Sequence, residues 1–198
     1  MINRELYMEQ ITPFIDKPFV KVITGIRRCG KSVVLRLIRE ELLRRGVSED
    51  YIIYMNFESF EWIDMKEAKA LDAHIREATK ASGKYYILLD EIQEVTDWEK
   101  AVNAFLVDLD VDIYVTGSNS RLLSSEFSTY LAGRYVAFHI MTLSFREYLL
   151  FHDLPLTISV SDRKTEFLKY LRMGGFPAIH TANYDYNAIY KIVYDIYS

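Results

Sequence analysis

The 198 residues carry 28 acidic against 24 basic side chains, and the net charge of −4 gives no global attraction to nucleic acid or an anionic membrane. No apolar run approaches the ~18 residues of a membrane span, and the N-terminus, MINRELYMEQ, lacks the apolar stretch of a secretory signal. The single cysteine excludes an internal disulfide framework and suits a reducing cytoplasm, while the length allows one sizeable core.

Short β-branched or aromatic runs alternate with longer helix-like stretches, which predicts a parallel α/β sheet. A strand over 19–24 comes first. A helix over 31–45 follows, with Val34, Ile38 and Leu42 on one buried stripe and Arg36, Arg39, Arg44 and Arg45 on its solvated face. Further strands are expected over 51–57, 85–89, 111–116 and 135–140. Asp97 is placed to cap the helix WEKAVNAFLV, a helix is expected over 122–131, and Ser144 with Glu147 forms a capping box before FREYLLFH. After about residue 153 the texture changes. DLPLTISVSD reads as a linker, 163–173 as a helix, and Gly174-Gly175-Phe176-Pro177 as a sharp break. The helical stretch from Tyr184 reaches Ser198 with no stop signal, which predicts the front part of a longer protein.

Between the first strand and the first helix lies GIRRCGKS, residues 25–32, matching G-x-x-x-x-G-K-[ST], the Walker A pattern. Gly25 and Gly30 let the backbone wrap, and the N–H groups of Ile26, Arg27, Arg28 and Cys29 can then cradle phosphate oxygens. Lys31 would reach the β- and γ-phosphates and Ser32 would ligate Mg²⁺. Arg27 and Arg28 occupy permissive positions and would pair with neighbouring acids or face a partner subunit. Cys29, beside Arg28 and near a helix N-terminus, is expected to have a lowered thiol pKa and to be protected by nucleotide, as a structural and not a catalytic residue.

Asp90 and Glu91 end the apolar run YYILL as a Walker B pair. Asp90 is the candidate second metal ligand and Glu91 the candidate base for an attacking water. The distance from Lys31 to Asp90 in sequence implies a strand inserted between the two motif strands. The strand DIYVT ends in Gly117-Ser118-Asn119-Ser120, which makes Ser118 or Asn119 a candidate γ-phosphate sensor, an ordinary turn being the plainer reading. Arg134, with Arg121 as its rival, could neutralise transition-state charge within the chain or on a neighbour; a plain surface arginine is the alternative for either.

With these residues in place, the chain resembles AAA+-type ATPases of the P-loop class. It is most similar to a prokaryotic group usually called simply ATP-binding proteins or ATPases. The resemblance is carried by VITGIRRCGKS, ILLDEIQEVTDWEKAV, TGSNSRLLSSEFSTYLAGRY, LSFREYL and GGFP, and it runs from about residue 4 to residue 198. It implies a five-strand parallel sheet of order 5-1-4-3-2 flanked by helices, with residues 1–153 as the ATPase core and 154–198 as the start of a small helical lid. It also implies a further C-terminal domain, Ser118 as sensor 1, Arg134 as an arginine finger, and Pro177 near an adenine. A sensor 2 arginine is not evident at the start of the last helix. No guanine-reading N-K-x-D stretch is present, and the choice of adenine comes from the resemblance alone.

The leading expectation is Mg²⁺-dependent ATP hydrolysis in the cytoplasm, coupled to a conformational change of an attached C-terminal module. ATP or ADP and the chain's own C-terminal domain are the expected partners, and a homo-oligomer is allowed. A nucleotide-gated switch with negligible turnover is the alternative, favoured slightly by GGFP. A small-molecule phosphotransferase is disfavoured by Glu91 and the inserted strand, and nucleic-acid remodelling is the least supported by this acidic segment.

Overall fold

Five strands form one sheet: β1 (Val20–Thr24), β2 (Ile52–Asn56), β3 (Tyr85–Asp90), β4 (Val111–Gly117) and β5 (Tyr135–His139). Their order is β2-β3-β4-β1-β5 and every neighbouring pair is parallel, the 5-1-4-3-2 arrangement expected. This computed structural model describes residues 3–118, 122, 130–181 and 184–197. Most of the helix expected over 122–131 lies outside them, as do Asn119 and Arg121.

The register fixes where chemistry can happen. Thr24 stands level with Gly117 on one side and His139 on the other, and Asn56 stands level with Asp90. The carboxyl ends of all five strands therefore meet at one edge, where an open α/β sheet binds its ligands. β4 is the inserted strand between β1 and β3.

Helices α1 (Glu5–Ile11), α2 (Lys31–Arg44), α3 (Ala68–Ala78) and α4 (Trp98–Asp108) cover both faces. Alternation along the strands divides the core in two. Val20, Val22, Ile87, Leu89, Ile113 and Val115 pack with residues of α3 and α4. Ile23, Leu88, Tyr114 and Phe138 pack with Tyr7 and Ile11 of α1 and with Val34, Leu35, Ile38 and Leu42 of α2. Since both faces are covered, every residue of β1 and β3 is buried, and a hydrophobic alternation is absent from YYILL for that reason.

Three helices follow: α5 (Phe145–Phe151), α6 (Val160–Met173) and α7 (Tyr186–Tyr197). The Ser144–Glu147 capping box starts α5 as expected. The expected linker is shorter than its composition implies, because Ser159 accepts the N–H of Asp162 at 3.2 Å and starts α6 at Val160. Asp97 occupies the N-cap position of α4, but its side chain makes no cap hydrogen bond. Its backbone is left-handed, φ 58°, where a capping residue is ordinarily extended, and the carboxylate turns to Lys100 at 2.9 Å instead. Beyond α6, Phe176, Ile179 and Ile189 form a small core with Ile26 of the 25–32 loop packed against it.

Candidate functional site

The loop 25–32 joins the carboxyl end of β1 to the first turn of α2, which brings it to the helix's positive end; of the amides expected to cradle phosphate, the Cys29 N–H is instead taken by the Ile26 carbonyl at 3.3 Å. Two glycines make that path possible. Gly25 has φ +152°, and a Cβ there would collide with the Ile140 carbonyl and stand 2.8 Å from the Cys29 sulfur. Gly30 is left-handed, φ +106°, and immediately precedes α2. Arg28 also takes a left-handed turn, at φ 65°, and its side chain is exposed. Arg27 is exposed and lies 3.7 Å from Glu58, an ion pair at the surface that contributes little.

Lys31 is buried, 4% exposed, so its ammonium needs a partner. Glu91 provides one at 3.3 Å. Two loop carbonyls, those of Gly25 and Ile26, accept from Nζ at 3.4 and 3.5 Å, the long end of hydrogen bonding.

Asp90 closes β3 fully buried. Two hydroxyls satisfy it: Tyr54 donates to Oδ2 at 2.9 Å, and Thr116 donates to Oδ1. Burial and the adjacent carboxylate push the Tyr54 phenol up to about 12, so it remains a donor at any physiological pH. Glu91 follows in a left-handed conformation, φ 54°, which swings its side chain from the strand line toward Lys31. Its N–H donates to the Thr116 hydroxyl at 2.9 Å, and its carboxylate accepts from Gln93 Nε2 at 2.5 Å. Asp90, Glu91, Lys31 and the loop thus converge at the carboxyl edge of β1, β4 and β3.

Other expected residues fall elsewhere. Ser118 lies one residue past β4, its carbonyl accepting the Leu122 N–H at 3.0 Å; the hydroxyl that touches both motif acids belongs to Thr116. Arg134 precedes β5, and its carbonyl accepts from the N–H of Val20, the first residue of β1. It is therefore at the amino edge of the sheet, about 16 Å of strand away from its own loop. Its side chain is exposed and donates to Asn103 at 2.9 Å. Pro177 is half-buried and begins a short 3₁₀ turn beside Phe176.

The expected low thiol pKa of Cys29 is overturned. The side chain is fully buried, and burial pushes the thiol up more strongly than Lys31 and Arg4 pull it down. The neighbouring Arg28 is exposed at the surface.

Ile26 also lines a cleft of about 480 Å³, between the exit of β5 (Ile140, Met141, Thr142) and the turn Gly174–Phe176, with Ile189 and Val193 of α7 opposite. Sequence reasoning missed Thr116, Tyr54 and Gln93. Thr116 had a legible signal, a polar residue in the last apolar positions of the strand beside Walker B. Tyr54 and Gln93 had none, since their partners are set by side-chain direction.

The profile of the AAA domain family matches residues 17–149. An uncharacterized protein of Haemophilus influenzae is 43% identical over 184 residues, covering 92% of this chain and 46% of its own length. The uncharacterized protein MJ1544 of Methanocaldococcus jannaschii is 35% identical over 184 residues, covering 90% of this chain and 39% of its own length. The chain thus spans less than half the length of these curated relatives. Among solved structures, the Walker-type ATPase PABY2304 of Pyrococcus abyssi is similar with a TM-score of 0.60 at 14% identity, over 99% of this chain and 72% of that one. AMPPCP-bound DnaA from Aquifex aeolicus is similar with a TM-score of 0.57 at 15% identity, over 98% and 62%. Sheet order, loop and motif acids agree with the profile match: the chain belongs to the AAA domain family, an AAA+-type P-loop ATPase domain.

Proposed function

We propose that this domain binds ATP with Mg²⁺ and hydrolyses it. The observation that carries the reading is the meeting of Lys31 with Glu91 at 3.3 Å, beside a buried Asp90 and the mouth of the 25–32 loop. Ser32 and Asp90 offer hydroxyl and carboxylate oxygens, the hard donors that Mg²⁺ takes. They are few, which suits a metal completed by phosphate oxygens and water. When bound, Mg²⁺ would neutralise charge on the phosphates.

Lys31 would exchange Glu91 for the β- and γ-phosphates, and that exchange frees the Glu91 carboxylate. Glu91 would then accept a proton as water oxygen attacks the γ-phosphorus and the bond to the ADP oxygen breaks. Thr116 fixes the Glu91 backbone and Gln93 fixes its carboxylate. Arg134, being at the far edge of its own sheet, would serve the site of a neighbouring copy. The apolar cleft beside Ile26 suits a flat base, with the Gly174–Pro177 turn at its rim and Ser118 near the γ-phosphate. Residues 1–153 would form the core, and α6 and α7 the beginning of a lid. Hydrolysis would then move an attached C-terminal module.

A switch with negligible turnover has one observation in its favour. The Leu143 N–H donates to the Gly175 carbonyl at 2.7 Å and Ile26 packs against the cluster of Phe176, Ile179 and Ile189, so the loop and the C-terminal helices are already joined. Phosphate release by the wild type beside Lys31→Ala and Glu91→Gln separates the two readings. Hydrolysis predicts that Glu91→Gln binds ATP and turns over about 10²–10⁴-fold more slowly. A wild type that binds and never releases phosphate supports the switch, and one that does not bind refutes both.

A further inference from the structure

Arg4 lies far from the motif residues in sequence, yet its side chain is almost fully buried beneath the phosphate loop, 2% exposed for the residue. A buried guanidinium is costly unless its donors are met. Nη1 donates to the carbonyl of Cys29 at 3.0 Å, and Nη2 donates to the carbonyl of Met141 at 2.8 Å. Nε stands 2.6 Å from Glu147 Oε1, and the guanidinium carbon lies 4.8 Å from the centre of the Tyr7 ring. Glu147 is itself fixed, its other oxygen accepting the N–H and hydroxyl of Ser144 at 2.8 and 2.9 Å. Met141 is held through both of its backbone groups, since its N–H donates to the Tyr7 hydroxyl at 3.0 Å.

The Cys29 carbonyl matters to phosphate binding. A loop that presents N–H groups to an anion must turn the carbonyls of the same peptides outward, where each needs a donor. The Cys29–Gly30 peptide has its carbonyl taken by Arg4, which leaves the Gly30 N–H on the opposite side. A Cβ on Gly30 would stand 3.2 Å from Nη1, so the guanidinium is packed directly against the loop's last turn before α2. Its positive charge is brought there too, in a region of low dielectric.

We propose that Arg4 is a positioning residue for the phosphate loop: its guanidinium sets the orientation of the Cys29–Gly30 peptide and anchors it to the segment Met141–Glu147. This rests on the phosphate-binding reading above. Through Met141 and Leu143 the same anchor reaches the C-terminal helices, because the Leu143 N–H meets Gly175 and the Leu143 carbonyl accepts from Tyr170 at 2.8 Å.

The test is affinity for Mg·ATP and for inorganic triphosphate, which has no base, in the wild type, Arg4→Met, Arg4→Lys, Ile11→Val and Lys31→Ala. Each variant's melting temperature is read alongside. Ile11→Val loosens the packing of the same helix at its other end, where the fully buried side chain belongs to the core, and serves as the structural control. The expected result is a loss of about tenfold or more for both ligands in Arg4→Met. Arg4→Lys, which keeps the charge beside Glu147 but not the planar fork, should fall between, and Ile11→Val should bind as the wild type whatever its melting temperature. A folded Arg4→Met that binds triphosphate like the wild type overturns the proposal. If Arg4→Met does not fold, Arg4→Lys decides: unchanged affinity overturns the proposal and weakened affinity at wild-type fold supports it. A wild type that binds neither ligand, indistinguishable from Lys31→Ala, removes the phosphate-site reading and this one with it.

Discussion

Thr116 is fully buried and makes one hydrogen bond to each motif acid, giving its proton to Asp90 and accepting the Glu91 N–H. Thr116→Val keeps the shape and leaves the Glu91 amide without its acceptor, which costs about 1–3 kcal/mol of stability. Phosphate release should fall as well, since the Glu91 backbone loses its fixed point. Thr116→Ser should retain most of both, and urea unfolding with phosphate release on the three proteins checks this. Cys29 shows how a local sequence signal is overruled. Arg28 beside it and a helix start after it argue for a thiolate, but total burial outweighs both. Cys29 should therefore react with a disulfide reagent only through opening of the loop. The native rate should be at least about 10²-fold below the rate in urea, and ATP should lower it further only by stabilising the fold.

The elements were largely legible because each combined an apolar pattern with an end signal. Lys31–Arg44 had an apolar i, i+4 stripe behind a glycine, and the strands had apolar runs, broken only by Lys21 in β1 and Asp112 in β4 before their last polar positions, as suits parallel strands covered on both faces. Tertiary context decided the rest. Ser159 begins α6 inside a stretch rich in β-branched and polar residues, and Asp97 has capping chemistry with a backbone turned the wrong way. Electrostatics within α2 gives a pH prediction. Glu41 accepts from Arg44 and Arg45, each at 2.8 Å, and these hydrogen bonds lower its carboxyl from 4.5 to about 2. A carboxylate depressed in the folded state adds stability above its unfolded value of 4.5 and loses it as pH falls toward about 2. Glu41→Gln should therefore flatten the loss of stability on acidification between those limits while the slope at neutral pH stays the same. Urea midpoints at a series of pH values measure it, and equal acid slopes in the two proteins would count against the pairing.

Across the whole molecule, the two edges of the sheet carry different work. The amino edge holds a buried network in which Lys21 meets Asp112 and the Lys17 carbonyl at 2.8 Å, while Asp112 also accepts from Tyr114 and from the Asp16 N–H, at 2.9 and 2.8 Å. Both side-chain oxygens of Asp112 are engaged, so this buried carboxylate is held for structure. Arg134 belongs to this edge, exposed next to Asn103, while the loop, Asp90 and Glu91 occupy the opposite edge. That placement follows from topology: in an all-parallel sheet, a residue just before a strand lies across from one just after it. An arginine there reaches a phosphate only across an interface, and a complementation experiment can detect this. Arg134→Ala leaves its own loop intact but withholds the cation from a neighbour. Lys31→Ala has a disabled loop but still offers Arg134. Each alone should lose turnover, by about 10³-fold if the arginine acts as a finger, while Arg134→Ala retains ATP binding. Mixed, they should regain activity, since a Lys31→Ala copy lends its Arg134 to an intact Arg134→Ala loop, and the gain should rise with protein concentration. Turnover that is independent of concentration, with no recovery on mixing, would return Arg134 to the surface role its contact with Asn103 describes.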